Sequence, residues 1–209
     1  MFESLFKEIH AMVQASSTIK LTRVKVKISG VPPGLLFQSK GVMEADAAKP
    51  PKPGKHRPAD EEAKLRAHWM GTGKKKELCI TSVMLYKSFC QAAIDFKQPQ
   101  NKKKNMSFLV GATVAFELPN ISLGTADFEV FEEYVRIPPR TGACVKIGRP
   151  LLSKWSASFV MLVDAELWPA EVLREIIIHA GKLVGIGAWR PALKGPYGRF
   201  VLDEFEVEV

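Results

Sequence analysis

The sequence has few cysteines and no long apolar run. Its three cysteines, Cys79, Cys90 and Cys144, are odd in number and have no CxxC spacing, so we expect neither a disulfide framework nor a zinc site. No apolar run reaches the about 18–20 residues that a membrane helix needs. Glu3 and Glu8 interrupt the first nine residues, which excludes the apolar core of a secretory signal there. We therefore expect a cytoplasmic protein.

Motifs of catalysis are missing as well. The sequence contains no P-loop and no HExxH pattern, and its acidic clusters are typical of a helix start and of solvated strand faces. Its four histidines, His10, His56, His68 and His179, show no spacing typical of an acid–base pair. We predict a protein without catalytic residues, metal or cofactor. An endonuclease that uses His68 or His10 is the alternative.

Positive charge is abundant and unevenly distributed. The chain of 209 residues has 30 basic and 22 acidic side chains, a net charge of +8. Residues 1–105 hold 20 of the basic and 9 of the acidic side chains, whereas residues 106–209 carry a net charge of −3. An excess of this kind favours polyanions as partners, and nucleic acid above all. Basic loops that only keep the protein in solution are the alternative.

Hydrophobic periodicity predicts alternating strands and helices in one domain, residues 1–209. The predicted elements are a helix over 1–15, a strand over 19–29, a helix over 82–96, a strand over 107–117, a strand or hairpin over 128–137, a strand over 155–163, a helix from Pro169 to Gly181 and a strand over 199–209. The strong elements alone give the order strand, helix, strand, strand, helix, strand, which is that of an α+β, ferredoxin-like βαββαβ fold, with an antiparallel sheet and both helices on one face. RNA-recognition domains share this layout and bind single strands on the open face, although the fold also hosts enzymes.

A long segment between the first strand and the next helix has a different composition. Residues 38–78 mix prolines with lysines, as in Lys49-Pro50-Pro51-Lys52-Pro53, and end in the basic run Lys74–Lys76. A segment of this composition buries little apolar surface. We predict a flexible basic insertion, with a short helix over 59–68.

The most unusual stretch is the glycine-rich segment, residues 181–200, between the last helix and the last strand. It contains five glycines together with Arg190, Lys194 and Arg199. Glycines let a backbone approach a phosphate closely, and Trp189 and Tyr197 could stack on bases. A helix cap and a tight turn, with Trp189 packed, is the other interpretation.

This segment resembles the glycine-rich signature of the RAMP superfamily, the repeat-associated proteins of CRISPR ribonucleoprotein complexes. The matching residues run from Ala180-Gly181 through Val184-Gly-Ile-Gly187 and Trp189-Arg-Pro191 to Gly195-Pro-Tyr-Gly-Arg-Phe200. The order of elements, with a long insertion after the first strand, is similar to the backbone subunit of those complexes. The resemblance implies an antiviral ribonucleoprotein whose copies assemble along guide RNA. Similar sequences also look like proteins of phages and other mobile elements.

We therefore expect a non-catalytic subunit that binds single-stranded nucleic acid, most readily RNA, and assembles in several copies as a filament. Its partners would be the strand, neighbouring copies and other subunits of a ribonucleoprotein. An RNA-processing endoribonuclease and a phage or mobile-element assembly protein are the alternatives. The residues expected to contact nucleic acid are Arg23, Lys25, Lys27, Lys74, Lys75, Lys76, Lys102, Lys103, Lys104, Gly185, Gly187, Trp189, Arg190, Lys194, Gly195, Tyr197, Gly198 and Arg199.

Overall fold

A computed structural model describes residues 21–37, 58–98, 101–137, 143–164 and 170–208 of the chain. These residues form a mixed α/β structure with antiparallel sheets and four α-helices. The helices are α1 (Ala59–Arg66), α2 (Ser82–Ala92), α3 (Ser107–Thr113) and α4 (Ala170–His179). The strands are β1 (Leu21–Gly30), β2 (Leu35–Leu36), β3 (Trp69–Met70), β4 (Glu77–Thr81), β5 (Val114–Phe116), β6 (Asn120–Ser122), β7 (Glu129–Ile137), β8 (Ala143–Leu152), β9 (Ser156–Asp164) and β10 (Phe200–Val207). None of these helices is long and apolar enough to cross a membrane.

The central sheet has four strands in the order β10–β1–β9–β5, and every neighbouring pair is antiparallel. In β1, Val24, Val26 and Ile28 are buried, and the residues between them point to the other face. This alternation follows from the two-residue period of a strand with one covered face. The strands predicted over 19–29, 155–163 and 199–209 are confirmed as β1, β9 and β10.

Helices α2 and α4 cover the inner face of the central sheet. The hydroxyl of Thr81 accepts a hydrogen bond from the backbone nitrogen of Met84 at 3.4 Å, so Thr81, one residue before the predicted Ser82, caps α2. Phe89 of α2 lies against Phe116 and Phe159 of the sheet, with ring centroids 6.2 and 6.4 Å apart. The two predicted helices are confirmed, and their apolar faces fill the space above the sheet.

Two smaller sheets lie beside the central one. Strands β2, β8 and β7 form the second sheet, and the β7–β8 pair is the hairpin that the sequence suggested near 128–137. Helix α1 packs closely on β8, since a Cβ atom at Gly148 would lie 1.9 Å from the carbonyl oxygen of Ala59. Strands β3, β4 and β6 form the third sheet.

The strand predicted over 107–117 is wrong for its first seven residues, which form α3. Met106, Val110 and Val114 are buried at intervals of four residues, which is a helical spacing. The strand was predicted because other apolar residues of the same stretch also fit the two-residue period of a strand. Only Val114–Phe116 pair with β9.

The predicted insertion is folded in its second half. The short helix expected over 59–68 is present as α1, and Ala63, Ala67 and Leu78 are fully buried. Residues 58–78 are therefore part of the packed body, because small apolar side chains on one side of α1 fit against β8. The first half, residues 38–57, and the helix predicted over 1–15 lie outside the described residues.

Candidate nucleic-acid interface

The glycine-rich segment begins where α4 ends. After His179 the chain makes one wide π-helical turn over Ala180–Val184, and Gly185 closes it with φ of 70°. The backbone nitrogen of Gly185 donates to the carbonyl oxygen of Ala180 at 2.7 Å, and its own carbonyl accepts from the buried Ser88 hydroxyl at 2.9 Å. Ser88 belongs to α2, so the start of the segment is fixed to the helical layer.

The glycines allow the chain to pack on itself. A Cβ atom at Gly198 would lie 1.8 Å from the carbonyl oxygen of Ile186, and one at Gly187 would lie 2.4 Å from that of Leu36. A Cβ atom at Gly195 would lie 1.9 Å from the carbonyl oxygen of Trp189. The space that glycine leaves at these positions, and at Gly185, is occupied by neighbouring protein atoms. Close packing thus accounts for glycine at these four positions, and their contact with nucleic acid stays a prediction.

The glycine-rich segment has a basic tip, by which we mean Trp189 and the cations Lys182, Arg190, Lys194 and Arg199. Trp189 has φ of 48° and is 47% exposed. Lys194 has φ of 61° and its side chain is exposed, as is that of Arg199. Arg190 is half-buried and donates from Nη1 to the carbonyl oxygen of Gly187 at 3.3 Å. Non-glycine residues at positive φ are uncommon, and here they hold Trp189 and Lys194 at the surface.

The cations of this tip have no acidic partners among the described residues. None of the ion pairs formed there involves Arg190, Lys194 or Arg199, nor Lys182 at the start of the segment. Tyr197, by contrast, is half-buried and packs edge-on against Phe131 with centroids 5.7 Å apart. The segment therefore carries four cations without an acidic partner among the described residues and one accessible indole, and Tyr197 holds the segment against β7.

The basic residues of β1 have a different environment. Arg23 donates from Nε to Glu117 at 2.6 Å and from Nη1 to Glu208 at 2.9 Å. Lys25 pairs with Glu208 at 2.5 Å, and Lys27 with Glu204 at 2.7 Å. Each of the three predicted nucleic-acid contacts on this face is already neutralised by a carboxylate.

These pairs shift the acidity of their members. The hydrogen bond that Arg23 donates to Glu117, together with the negative charge of Glu117, raises the pKa of Arg23. Glu208 raises the pKa of Lys25 in the same way. In return, the hydrogen bond from Lys25 lowers the pKa of Glu208. The pKa shifts agree on both sides of the Arg23–Glu117 and Lys25–Glu208 pairs.

The remaining predicted contacts lie elsewhere. Lys74 and Lys75 belong to the 3-10 turn Gly73–Lys75 between β3 and β4, and the Lys76 ammonium lies 4.5 Å above the Trp69 ring. Lys102–Lys104 are exposed in a loop after α2. The end of α2 links this loop to α4, since the Met106 backbone nitrogen donates to the Phe96 carbonyl at 2.9 Å and the Phe96 ring packs edge-on against that of His179. Contact of Lys74–Lys76 and Lys102–Lys104 with nucleic acid stays a prediction.

The two described histidines have packing partners. His179 Nε2 lies 2.8 Å from the Asp95 carboxylate, and its ring packs edge-on against Phe96. The His68 ring lies 5.7 Å from that of the fully buried Phe37. Among the described residues, no group of three histidine, cysteine or carboxylate side chains could hold a metal ion. His10 and His56 lie outside those residues.

Sequence reasoning missed two surface features. Lys182 was left out of the predicted site although it lies one residue beyond the packed Gly181. Phe108, which is 74% exposed on α3, was assigned to a strand. A helical interpretation of residues 106–114 would have placed Phe108 opposite the buried Met106 and Val110 and identified it as exposed.

Comparison with known proteins finds a partial likeness to solved structures. No protein-family model and no curated protein match the sequence. A chain of the "Cryo-EM structure of the Type III-B Cmr-beta bound to cognate target RNA" is similar to this one, with a TM-score of 0.47 and 12% identity. The likeness covers 98% of this chain, which spans 66% of the length of that one. The roles of individual residues therefore have to come from the geometry of this chain.

Proposed function

We propose that this chain is a non-catalytic subunit that binds single-stranded nucleic acid, RNA most readily, through the tip of its glycine-rich segment. The observation that carries the proposal is that Lys182, Arg190, Lys194 and Arg199 have no acidic partners in the described structure and share one segment with the exposed Trp189. Unpaired cations bind phosphates and an accessible aromatic ring stacks on a base. The same combination accounts for binding without sequence preference.

The sheet supports this proposal through its topology. Strand order β10–β1–β9–β5, with α2 between β1 and β5 and α4 between β9 and β10, is the order of a ferredoxin-like βαββαβ unit. In that assignment the glycine-rich segment connects the second helix to the fourth strand, at the end of the sheet where β1 finishes. The packed glycines give this connection one rigid shape, so its cations are held ready for a strand.

Assembly in several copies along one strand, as the resemblance to CRISPR backbone subunits implies, is part of the proposal. A single segment can contact only a few nucleotides of the nucleic acid, about 4, which is the lower end of the site sizes of small single-strand-binding domains. Neighbouring copies would then contact one another along a longer strand.

Salt dependence of binding tests the proposal. Fluorescence anisotropy of a labelled strand of about 8 nucleotides, near the site size of one small domain, would compare RNA with DNA of the same sequence. The variant Lys194→Gln/Arg199→Gln should bind more weakly and flatten the slope of log affinity against log salt by about 1.4, at about 0.7 per lost phosphate contact. The matched variant Lys25→Gln/Lys27→Gln, which removes two paired cations, should leave the slope unchanged.

Two results would overturn the proposal. One is an affinity of the wild-type protein that does not respond to salt, and the other is an equal effect of the two double variants. Incubation of labelled RNA with the protein, with and without EDTA, checks the non-catalytic part: intact RNA is expected in both, and defined fragments would make the chain a nuclease.

A further inference from the structure

The outer face of the central sheet carries more negative than positive charge. Five carboxylates, here called the carboxylate row, surround the three cations of β1 and give these eight side chains a net charge of −2. The row consists of Glu117, Asp203, Glu204, Glu206 and Glu208. In a chain with a net charge of +8, an acidic face of this kind fits a basic partner.

A cavity of about 610 Å³ lies beside this row, between the sheet and residues 118–124. Its charged wall has three carboxylates, Glu117, Glu204 and Glu206, against two lysines, Lys25 and Lys27, and so carries a net charge of −1. Leu118, which is 63% exposed, contributes an apolar wall together with Val160. Glu206 makes no ion pair within the described part of the chain. The cavity is therefore suited to an apolar side chain flanked by cations.

The same chain has a surface of that chemistry. The lysine loop, residues 101–105, presents three consecutive exposed lysines. Its shape is fixed, because the backbone nitrogen of Lys104 donates to the Asn101 carbonyl at 2.9 Å and that of Gln98 donates to the Lys104 carbonyl at 3.0 Å. Phe108 follows three residues after the loop and is 74% exposed, and Ile94 nearby is 50% exposed.

The two surfaces lie on opposite sides of the domain. Met106, between the lysine loop and Phe108, is buried and donates its backbone N–H to the carbonyl oxygens of Ala93 and Phe96 at the end of α2. The loop and Phe108 thus belong to the helical layer, while the carboxylate row faces away from it. Such surfaces cannot meet within one copy but can meet between two.

We infer that the lysine loop and Phe108 of one copy bind the carboxylate row and the adjacent cavity of the next. Lys102–Lys104 pair with Glu204 and Glu206, and the Phe108 ring enters the cavity against Leu118. Because the two surfaces differ, the contact is head-to-tail and leaves both ends open for further copies. The inference rests on the proposed function, since it names the contact between copies on one strand, and it gives Lys102–Lys104 a protein partner in place of nucleic acid.

Charge reversal on each surface, followed by mixing, tests this contact. Variant A carries Glu204→Lys and Glu206→Lys, and variant B carries Lys102→Glu, Lys103→Glu and Lys104→Glu. Mass photometry would measure complex size on strands of increasing length, and sedimentation velocity would measure self-association without nucleic acid. A control variant with Asp60→Lys and Glu61→Lys reverses two exposed charges on α1, away from both surfaces.

Each variant alone should lose assembly, with the concentration for half-maximal assembly raised about tenfold or more, because like charges then face each other. An equimolar mixture of A and B should restore it, since the basic loop of A fits the acidic row of B and the acidic loop of B fits the basic row of A. The α1 control should assemble like the wild type. Phe108→Ser should weaken assembly without changing the charge balance.

Binding to the short strand separates this inference from the proposed function. If both A and B bind it like the wild type while assembly is lost and then rescued, the contact is confirmed. If variant B alone loses binding to the short strand and mixing rescues nothing, the lysine loop is a nucleic-acid contact and the inference is wrong. If the wild type binds no strand at all, the proposed function fails, and sedimentation velocity on A, B and their mixture still decides whether the copies associate as inferred.

Discussion

The outer face of the central sheet and the glycine-rich segment both carry several cations, but only the first has carboxylates beside them. On β1, Arg23, Lys25 and Lys27 each lie within 3 Å of a glutamate oxygen. In the glycine-rich segment, Lys194 and Arg199 have no acidic partner among the described residues. The comparison teaches that the number of cations in a stretch says little about phosphate binding until their partners are known.

The two regions also differ in how their shape is held. The sheet face is built from regular strand pairing, in which side chains alternate and those of the outer side point away from the core. The glycine-rich segment depends on close contacts between backbone atoms that only glycine permits. Substitutions should therefore affect the stability of the fold in the segment far more than on the sheet face.

The largest effect should come from Gly198→Ala. A methyl group there would lie 1.8 Å from a backbone oxygen at φ of 72°, so the segment would have to move. We expect the free energy of unfolding in urea to fall by about 3 kcal/mol. In the matched variant Gly124→Ala, φ is 68° and no atom lies within 4 Å of the added methyl group. Its free energy of unfolding should fall by about 1 kcal/mol, the cost of the backbone conformation alone. Equal losses in the two variants would show that close packing is not the reason for glycine at position 198.

A smaller effect, on binding instead of folding, is expected for Trp189→Ala. Removing a stacking ring should weaken binding to the short strand by about 1–3 kcal/mol, while the slope of affinity against salt stays the same because no charge is lost. Tyr134→Ala on β7 removes another exposed aromatic ring, 70% exposed, and should not change affinity. A change in the salt slope with Trp189→Ala would mean that the indole positions the neighbouring cations instead of stacking.

The fold was predictable where the periodicity is strong. Apolar residues alternate in β1, β9 and β10, and α2 and α4 have clear apolar faces. The order of these five elements was therefore predicted correctly from the sequence. α3 was missed because Ser107–Thr113 is short and its apolar residues fit a strand as well as a helix. Short strands such as β2 and β3, two residues each, depend on tertiary contacts that no local pattern records.

The candidate site was only half predictable, and the reason is sequence distance. Arg23 meets Glu117 across 94 residues and Glu208 across 185, so nothing near β1 in the sequence indicates that its cations are paired. Arg190, Lys194 and Arg199 were identified because they lie close together in the chain, whereas Lys182, eight residues before Arg190, was missed. Glycine itself gave an ambiguous pattern, since a phosphate cradle and close backbone packing both require it.

The smallest expected effect concerns acid pH and the pairs of the sheet face. Lys25 and Arg23 lower the pKa of Glu208 below its ordinary value, so the folded state holds the carboxylate form more strongly than the unfolded chain does. The resulting stability is present above the ordinary pKa of a glutamate and is lost as pH falls through the lowered one. Because these groups are exposed, the contribution is small and screened by salt.

We expect Glu208→Gln to be slightly less stable than the wild type in urea at neutral pH, with the gap closing at acid pH or at high salt. A difference in stability that persists under both conditions would mean that Glu208 stabilises the fold through packing. The paired charges would then not stabilise the sheet face, and this contrast with the glycine-rich segment would be wrong.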